Sequence, residues 1–170
     1  MILELRPFTP ADLDDLAALH GDPEVLRFID DPVPRTVVER ETLPAIMGEY
    51  AQLPAGLGVF AATVDGAFVG QGSLRPVSSR GLAPDGLELG YRIVAAHWGR
   101  GYATEIARKL VRRAFEDLGA TRVVATTMAV NTASRRVLER AGLRYVRTFH
   151  LDWVDPLPGA EHGEVEYSLP

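Results

Sequence analysis

The stretch Trp98-Gly99-Arg100-Gly101-Tyr102-Ala103-Thr104 decides how this chain is read. It joins a strand-like run, 87–94, to a strongly amphipathic helical run, 102–118. In the latter Ala103, Ile106, Ala107, Leu110, Val111, Ala114, Phe115 and Leu118 recur at helical spacing. Glycines at 99 and 101 let the main chain come close to a ligand. The first N–H groups of the helix lack intrahelical acceptors and lie at the positive end of its dipole. Together these features suit a phosphate. Read more plainly, they make only a tight strand-to-helix turn. Two other phosphate loops are excluded. A Walker A loop needs Gly, four residues, then Gly-Lys-Ser/Thr, which is absent here. A dinucleotide fingerprint needs a third small residue where Thr104 stands, and an acidic residue on the next strand, which begins Thr121-Arg122-Val123.

Outward from this loop the chain alternates strand and helix signals. Residues 2–6 read as a strand. Thr9-Pro10 starts a helix with Leu13, Leu16, Ala17 and His20 on one stripe, and Asp22-Pro23 repeats the start signal. Thr36-Val-Val-Glu39 is a capping-box pattern for a helix to about Tyr50, with a break or kink expected at Pro44. Two strand-like runs, 57–64 and 67–74, flank the hairpin signal Asp65-Gly66. A loop rich in Pro, Ser and Gly follows over 76–86. On the strand 87–94, Leu87, Leu89, Tyr91 and Ile93 share one face and Glu88, Gly90, Arg92 and Val94 the other. Gly119 stops the helix, 121–128 is a strand, and Asn131 caps a helix to Ala141 stopped by Gly142. Strands over 143–153 and 163–169 close the chain. This order predicts one mixed α/β domain, residues 1–170, built on one sheet.

The 170 residues are 46% hydrophobic and 24% charged, enough for a core without staples. The absence of cysteine excludes disulfides, a thiolate nucleophile and Cys-based zinc sites. No leader-like opening and no run of 18 apolar residues occurs, so a cytoplasmic enzyme with no membrane partner is expected. A net charge of −5 argues against nonspecific nucleic-acid binding. Against that balance Arg92, Arg100, Arg108, Lys109, Arg112 and Arg113 cluster with a single acid, Glu105. The run reads either as a solvated helix face or as a local site for an anion.

The segment Leu89–Ala107, LGYRIVAAHWGRGYATEIA, resembles motif A of the GNAT (GCN5-related) N-acetyltransferases. Gly101 and Ala103 match the Gly and Gly/Ala of the Arg/Gln-x-x-Gly-x-Gly/Ala pattern, and Trp98 takes its Arg/Gln position. The run Trp-Gly-Arg-Gly-Tyr-Ala-Thr-Glu resembles the branch that acetylates ribosomal-protein N-termini. Asn131–Leu143, NTASRRVLERAGL, is similar to the family's Asn-x-x-Ala/Ser…Gly-Phe element. The resemblance implies an α+β fold, a mixed and mostly antiparallel sheet flanked by helices, with acetyl-CoA as cosubstrate and no metal. It also implies that the N–H groups around Gly99, Arg100, Gly101, Tyr102, Ala103 and Thr104, beside Trp98, hold the pyrophosphate. Ile93 and Val94 then pair their main chain with the pantetheine arm, and the Asn131 amide contacts the same arm. A plain helix cap explains Asn131 equally well.

Acetyl transfer must deprotonate an amine, whose pKa is near 8 for an α-ammonium and about 10.4 for lysine. It must stabilise an oxyanion and protonate a thiolate. Glu88, on the strand entering the motif, reads as the base, or else as a surface acid paired with Arg92. The family's usual Tyr acid on the last helix is replaced by Leu138. Ser134, on that helix's apolar stripe with Val137, Leu138 and Ala141, is the candidate proton donor, or else bonds back to its own helix; Tyr145 is the reserve. His97 and Tyr102 read as packing residues. His150 with Asp152, and His162 with Glu164, read as an exposed hairpin, an acceptor-pocket lining or a metal pair. The acceptor is a small-molecule or protein N-terminal amine, and a homodimer is a further candidate partner. The alternative reading is a non-catalytic acyl-CoA-binding module.

Overall fold

The computed structural model describes residues 1–77 and 86–170. Most of the loop expected over 76–86 lies outside the described residues. The strands are β1 (Leu3–Pro7), β2 (Gly58–Val64), β3 (Ala67–Pro76), β4 (Leu87–Ile93), β5 (Val123–Met128), β6 (Arg144–Phe149) and β7 (Glu164–Leu169). Among the described residues they form one sheet in the order β1-β2-β3-β4-β5-β7-β6. Every neighbouring pair is antiparallel except β4 with β5. The helices are α1 (Leu13–Gly21), α2 (Arg35–Val37), α3 (Leu43–Gln52), α4 (Tyr102–Arg112) and α5 (Thr132–Arg140). This is the mixed, mostly antiparallel sheet flanked by helices that the sequence implied.

Local chemistry explains most of the elements. Asp65 and Gly66 both take positive φ, 49° and 85°, as a two-residue hairpin turn between β2 and β3 requires. The Thr9 N–H donates to the Asp12 carboxylate at 2.8 Å, and a short 3₁₀ turn leads into α1. Three expectations fail. Asp22-Pro23 opens only hydrogen-bonded turns, Leu26 N–H to Asp22 O and Ile29 N–H to Leu26 O, and no helix. The helix expected from Thr36 instead starts at Arg35 with Pro34 as its N-cap. It does not break at Pro44. A π-helical turn over Val38–Thr42 widens the coil just where the proline ring would crowd the Arg40 carbonyl. Finally, β6 ends at Phe149, and residues 150–153 leave the sheet.

The core has two layers. Ile106, Ala107, Leu110 and Ala114 pack α4 and the turn after it onto Leu74, Leu89, Val123 and Tyr167. Ile106 and Leu110 are wholly buried, each contributing about 1.5–3 kcal/mol. On the opposite face Leu16, Val38, Leu43 and Ile46 cover Val59 and Ala61. No helix among the described residues is long and apolar enough to cross a membrane.

Candidate active site

Strand β4 pairs with β3 along its whole length, from Gly70↔Ile93 to Pro76↔Leu87. With β5 it pairs only at Leu87↔Val123 and Glu88↔Val124. Beyond these two positions the parallel strands part, opening a gap in the middle of the sheet toward their carboxyl ends. That end of parallel strands is where open α/β sheets bind ligands. The two motifs singled out in the sequence follow these two strand ends: 98–104 after β4, and Asn131 after β5.

The loop after β4 is braced from within. The Trp98 indole N–H donates to the Ile93 carbonyl at 2.9 Å, closing the turn back onto the strand that precedes it. His97 and Tyr102 rings lie 6.2 Å apart, the packing role expected of them. Gly99 and Gly101 both take φ near +80°, where side chains other than glycine are strained. A Cβ built at either position meets nothing within 4 Å, whereas one at Gly72 would approach Ile106 Cγ2 to 2.6 Å. The loop glycines therefore face open space, and the sheet glycine faces packed core. Gly101 is the N-cap of α4 and offers no capping side chain. The first intrahelical bond runs from the Glu105 N–H to the Gly101 carbonyl, so the N–H groups of Tyr102, Ala103 and Thr104 have no acceptor in the helix. Open space, donors and a positive dipole end fit a pyrophosphate. Arg100 is exposed on the same loop.

The strand ends are partly committed. The Val94 N–H donates to the Val69 carbonyl, and the Val94 carbonyl accepts from the His97 N–H. Strand alternation turns the main-chain groups of Ile93 the other way, toward the gap. Of the two residues expected to pair with an extended ligand arm, Ile93 has its carbonyl on the Trp98 indole and its N–H on the gap side, and Val94 has both main-chain groups bonded inside the fold. Across the gap the Asn131 side-chain carbonyl accepts the Ser134 N–H at 3.2 Å, capping α5. The cap expected as one reading of Asn131 is therefore present.

Ser134 is joined to a residue that the sequence reading left as a strand-face member. The Tyr91 hydroxyl lies 2.9 Å from Ser134 Oγ and donates toward the Ser134 carbonyl at 3.1 Å. Burial pushes the Tyr91 phenol up to about 12, against the opposing pull of Ser134, so it stays protonated at neutral pH. Ser134 thus sits on α5 beside β4 with a phenol behind its oxygen. Leu138, where the family's usual Tyr would stand, is buried in the core. Tyr145 lies on the edge strand β6, hydrogen-bonded to Thr148 Oγ1 at 2.7 Å, with its ring 6.1 Å from that of Tyr167.

Glu88 is half-buried and sits opposite Arg75 in the β3–β4 register. It occupies the end of β4 that still pairs with β5, and side-chain alternation puts it on the α1 face. Tyr91, and Ser134 with it, lie on the α4 face. The structure does not bring Glu88 and Ser134 into contact; the gap runs between them. The basic run disperses. Arg92 points toward α1, near His20. Arg108 donates to the Arg140 carbonyl, and Arg113 to that of Gly56. Only Arg100 stays on the loop. His150 Nε2 lies 3.3 Å from the Glu161 carbonyl, and among the described residues no group of three or more His, Cys, Asp or Glu is arranged around a metal position.

Known proteins carry the same pattern. The family model of the acetyltransferase (GNAT) domain matches residues 3–144. A relative from Aspergillus fumigatus, an FsC-acetyl coenzyme A-N(2)-transacetylase, is 37% identical over 171 residues, covering 98% of this chain and 73% of its own length. A GNAT-family acetyltransferase from Bacillus anthracis superposes with a TM-score of 0.79 at 21% identity, over 99% of this chain and 95% of that one. RimL, a ribosomal L7/L12 alpha-N-protein acetyltransferase solved with coenzyme A, does so with 0.79 at 16% identity, over 98% and 93%. The split sheet, the open glycine loop and these matches together place the chain in the GNAT family, as an acetyl-CoA-dependent N-acetyltransferase.

Proposed function

We propose that residues 1–170 act as one acetyltransferase domain that moves the acetyl group to a primary amine by direct attack, with Glu88 as base and Ser134, backed by Tyr91, as proton donor. The observation carrying this reading is the parting of β4 from β5, with the open loop at its wide end and the Tyr91–Ser134 pair along its wall. The N–H groups of Gly99–Thr104 hold the pyrophosphate, with Trp98 bracing their loop. Ile93 and the Asn131 amide flank the arm. Acetyl-CoA supplies an activated thioester: a C–N bond forms, the C–S bond breaks, the amine gives up a proton and the sulfur gains one.

The chain's residues divide that proton traffic by sheet face. Glu88 works from the α1 side, where the amine enters, directly or through a water. Ser134 works from the α4 side, where the sulfur lies. A serine hydroxyl is a weak acid, and Tyr91 helps by geometry. As Ser134 gives its hydrogen to sulfur, the Tyr91 O–H, which bonds the Ser134 carbonyl beforehand, swings to donate to the oxygen left behind 2.9 Å away. The relative, an N(2)-transacetylase by name, and RimL, an alpha-N-protein acetyltransferase, both support an amine acceptor, either a small molecule or a protein N-terminus. A cytoplasmic location fits these reactions.

The test is single-turnover kinetics. Ser134→Ala lowers the chemical rate by about 10-fold to 100-fold, at the low end for general acid catalysis, with acetyl-CoA affinity unchanged. Tyr91→Phe lowers it less. Glu88→Gln removes the acidic limb of the kcat/KM profile. A Ser134→Ala enzyme with the wild-type chemical rate removes Ser134. An acidic limb that persists in Glu88→Gln and moves with the acceptor's own pKa removes Glu88.

A further inference from the structure

Arg92 is the one strand residue of the basic run, and its surroundings differ from those of the half-buried arginines that meet a carboxylate. Arg6 meets Asp12 at 2.8 Å, Arg75 meets Glu49 at 2.6 Å, and Arg122 and Arg147 meet Glu166 at 2.8 and 2.7 Å. Among the described residues no carboxylate lies within ion-pair distance of half-buried Arg92. Its Nη1 is 3.4 Å from His20 Nδ1 and 3.5 Å from His20 Nε2. With Nε2 donating to Gln71, Nδ1 is the lone pair left to accept from the guanidinium, a neutral partner that leaves its charge in place. His20 is itself fixed: its ring is 7% exposed and its Nε2 is 2.9 Å from Gln71 Oε1, with Gln71 opposite Arg92 in the β3–β4 register. The His20–Gln71 pair therefore forms a floor that holds the guanidinium without neutralising it. Burial pushes the Arg92 pKa down, Asp30 pulls it up and Arg75, tied to Glu49, pushes it down.

A partly buried cation with no carboxylate at ion-pair distance among the described residues, and only the more distant Asp30 pulling on it, is costly to the fold. Its planar fork matches a carboxylate through two parallel hydrogen bonds. Its position says whose carboxylate. Arg92 lies on the same face of β4 as Glu88, the face turned away from α4 and α5, and four residues along the strand toward the wide end of the gap. That face is where the amine enters in the reading above. We propose that Arg92, seated on His20 and Gln71, binds a carboxylate of the acceptor, and that the acceptor is a primary amine carrying a carboxylate. The proposal rests on the acetyl-transfer reading for the amine half alone; the anion half rests on Arg92.

The experiment separates the two halves. Binding is measured, with CoA present, for N-acetyl-glycine, N-acetyl-alanine and N-acetyl-4-aminobutyrate against their primary amides, which mimic products with and without the charge. The wild-type protein binds at least one acid about 10-fold to 100-fold more tightly than its amide, the range for a hydrogen-bonded charge. Arg92→Met abolishes that preference, and Arg92→Lys, which keeps the charge and loses the fork, retains part of it. Equal binding of acids and amides by the wild-type protein overturns the proposal. So does an Arg92→Met protein that loses CoA affinity as much as acid affinity, since Arg92 then serves the cosubstrate. Thiol release on the corresponding free amines reads the other half. A preserved acid preference without turnover supports the anion site and counts against acetyl transfer.

Discussion

Two buried charge clusters in this sheet are built to opposite specifications. At the β7 end, Glu166 is 3% exposed and accepts from Arg122 at 2.8 Å and Arg147 at 2.7 Å. One strand position away the Tyr167 hydroxyl donates to Glu139 at 3.0 Å and accepts from Arg135 at 3.1 Å. Every one of these partners is part of the chain. At the β4 end, Arg92 has a floor and, among the described residues, no carboxylate at ion-pair distance, Gly99 and Gly101 face open space, and the N–H groups that open α4 lack helical acceptors. The first region has its partners within the folded protein, and the second holds the groups proposed above to meet ligands. On that proposal stability and function fall to different halves of one sheet, joined by two residue pairs between β4 and β5.

The largest effect that tests this division is expected at Glu166. Glu166→Gln keeps the shape and removes the charge, leaving two cations facing a neutral amide. Breaking a buried ion network from one side costs about 3–5 kcal/mol. Urea unfolding registers that loss, while acetyl-CoA affinity stays at the wild-type value. A variant of ordinary stability with weakened cosubstrate binding would break the comparison, because the β7 end would then be serving the ligand.

Gly101 sharpens it from the other side. Its φ of +80° makes any side chain strained there, by roughly 1–2 kcal/mol. An added Cβ touches no protein atom, so folding pays nothing beyond that strain. Gly101→Val fills the space ahead of the α4 N–H groups, and acetyl-CoA affinity falls about 100-fold, equivalent to about 2.7 kcal/mol. Gly101→Ala measures the strain with little bulk. If folding and binding fall by the same amount in both variants, the loop is a turn and nothing more.

What could be read from the sequence was local. The glycine loop, the hairpin at Asp65-Gly66, the amphipathic α4 and the Asn131 cap each lie within a window of a few residues, where backbone preference and periodicity act directly. Contacts across the sheet were not legible. Tyr91 and Ser134 are 43 positions apart, and Arg92 and His20 are 72 apart; no spacing rule links residues brought together by strand order. The basic run misled for a related reason. A strand at 92 and a helix at 108–113 send neighbouring charges to different sides of the sheet. The helix from Arg35 ran through Pro44 because a π-helical turn, invisible to a rule about proline, made room for the ring. The Asp22-Pro23 signal produced turns, since Pro32 and Pro34 close the segment before a helix of useful length can form.

The smallest expected effect is a pH dependence of folding stability set at the same open site. Burial is the main cause that lowers the His20 pKa, and the charge of Arg92 lowers it further, against a hydrogen bond that His20 donates to Gln71, which raises it. The folded pKa thus lies below the unfolded one, near 6.5. Above about 6.5 neither state binds the proton and no stability is lost. Below that value the unfolded chain takes up the proton first, so stability falls with falling pH until the folded ring also protonates. The slope cannot exceed about 1.4 kcal/mol per pH unit for one group. Asp12, held low chiefly by its hydrogen bond from Arg6, loses its contribution only as the pH falls through a value below 3.8, so the two windows are separate. Urea unfolding between pH 5 and 6.5 therefore isolates the histidine. His20→Gln flattens the dependence. Arg92→Met removes one of the two lowering causes, so the decline levels off at a higher pH. If the wild-type protein and Arg92→Met lose stability over the same pH interval, the guanidinium does not press on His20, and the open site lacks the uncompensated charge on which its contrast with Glu166 depends.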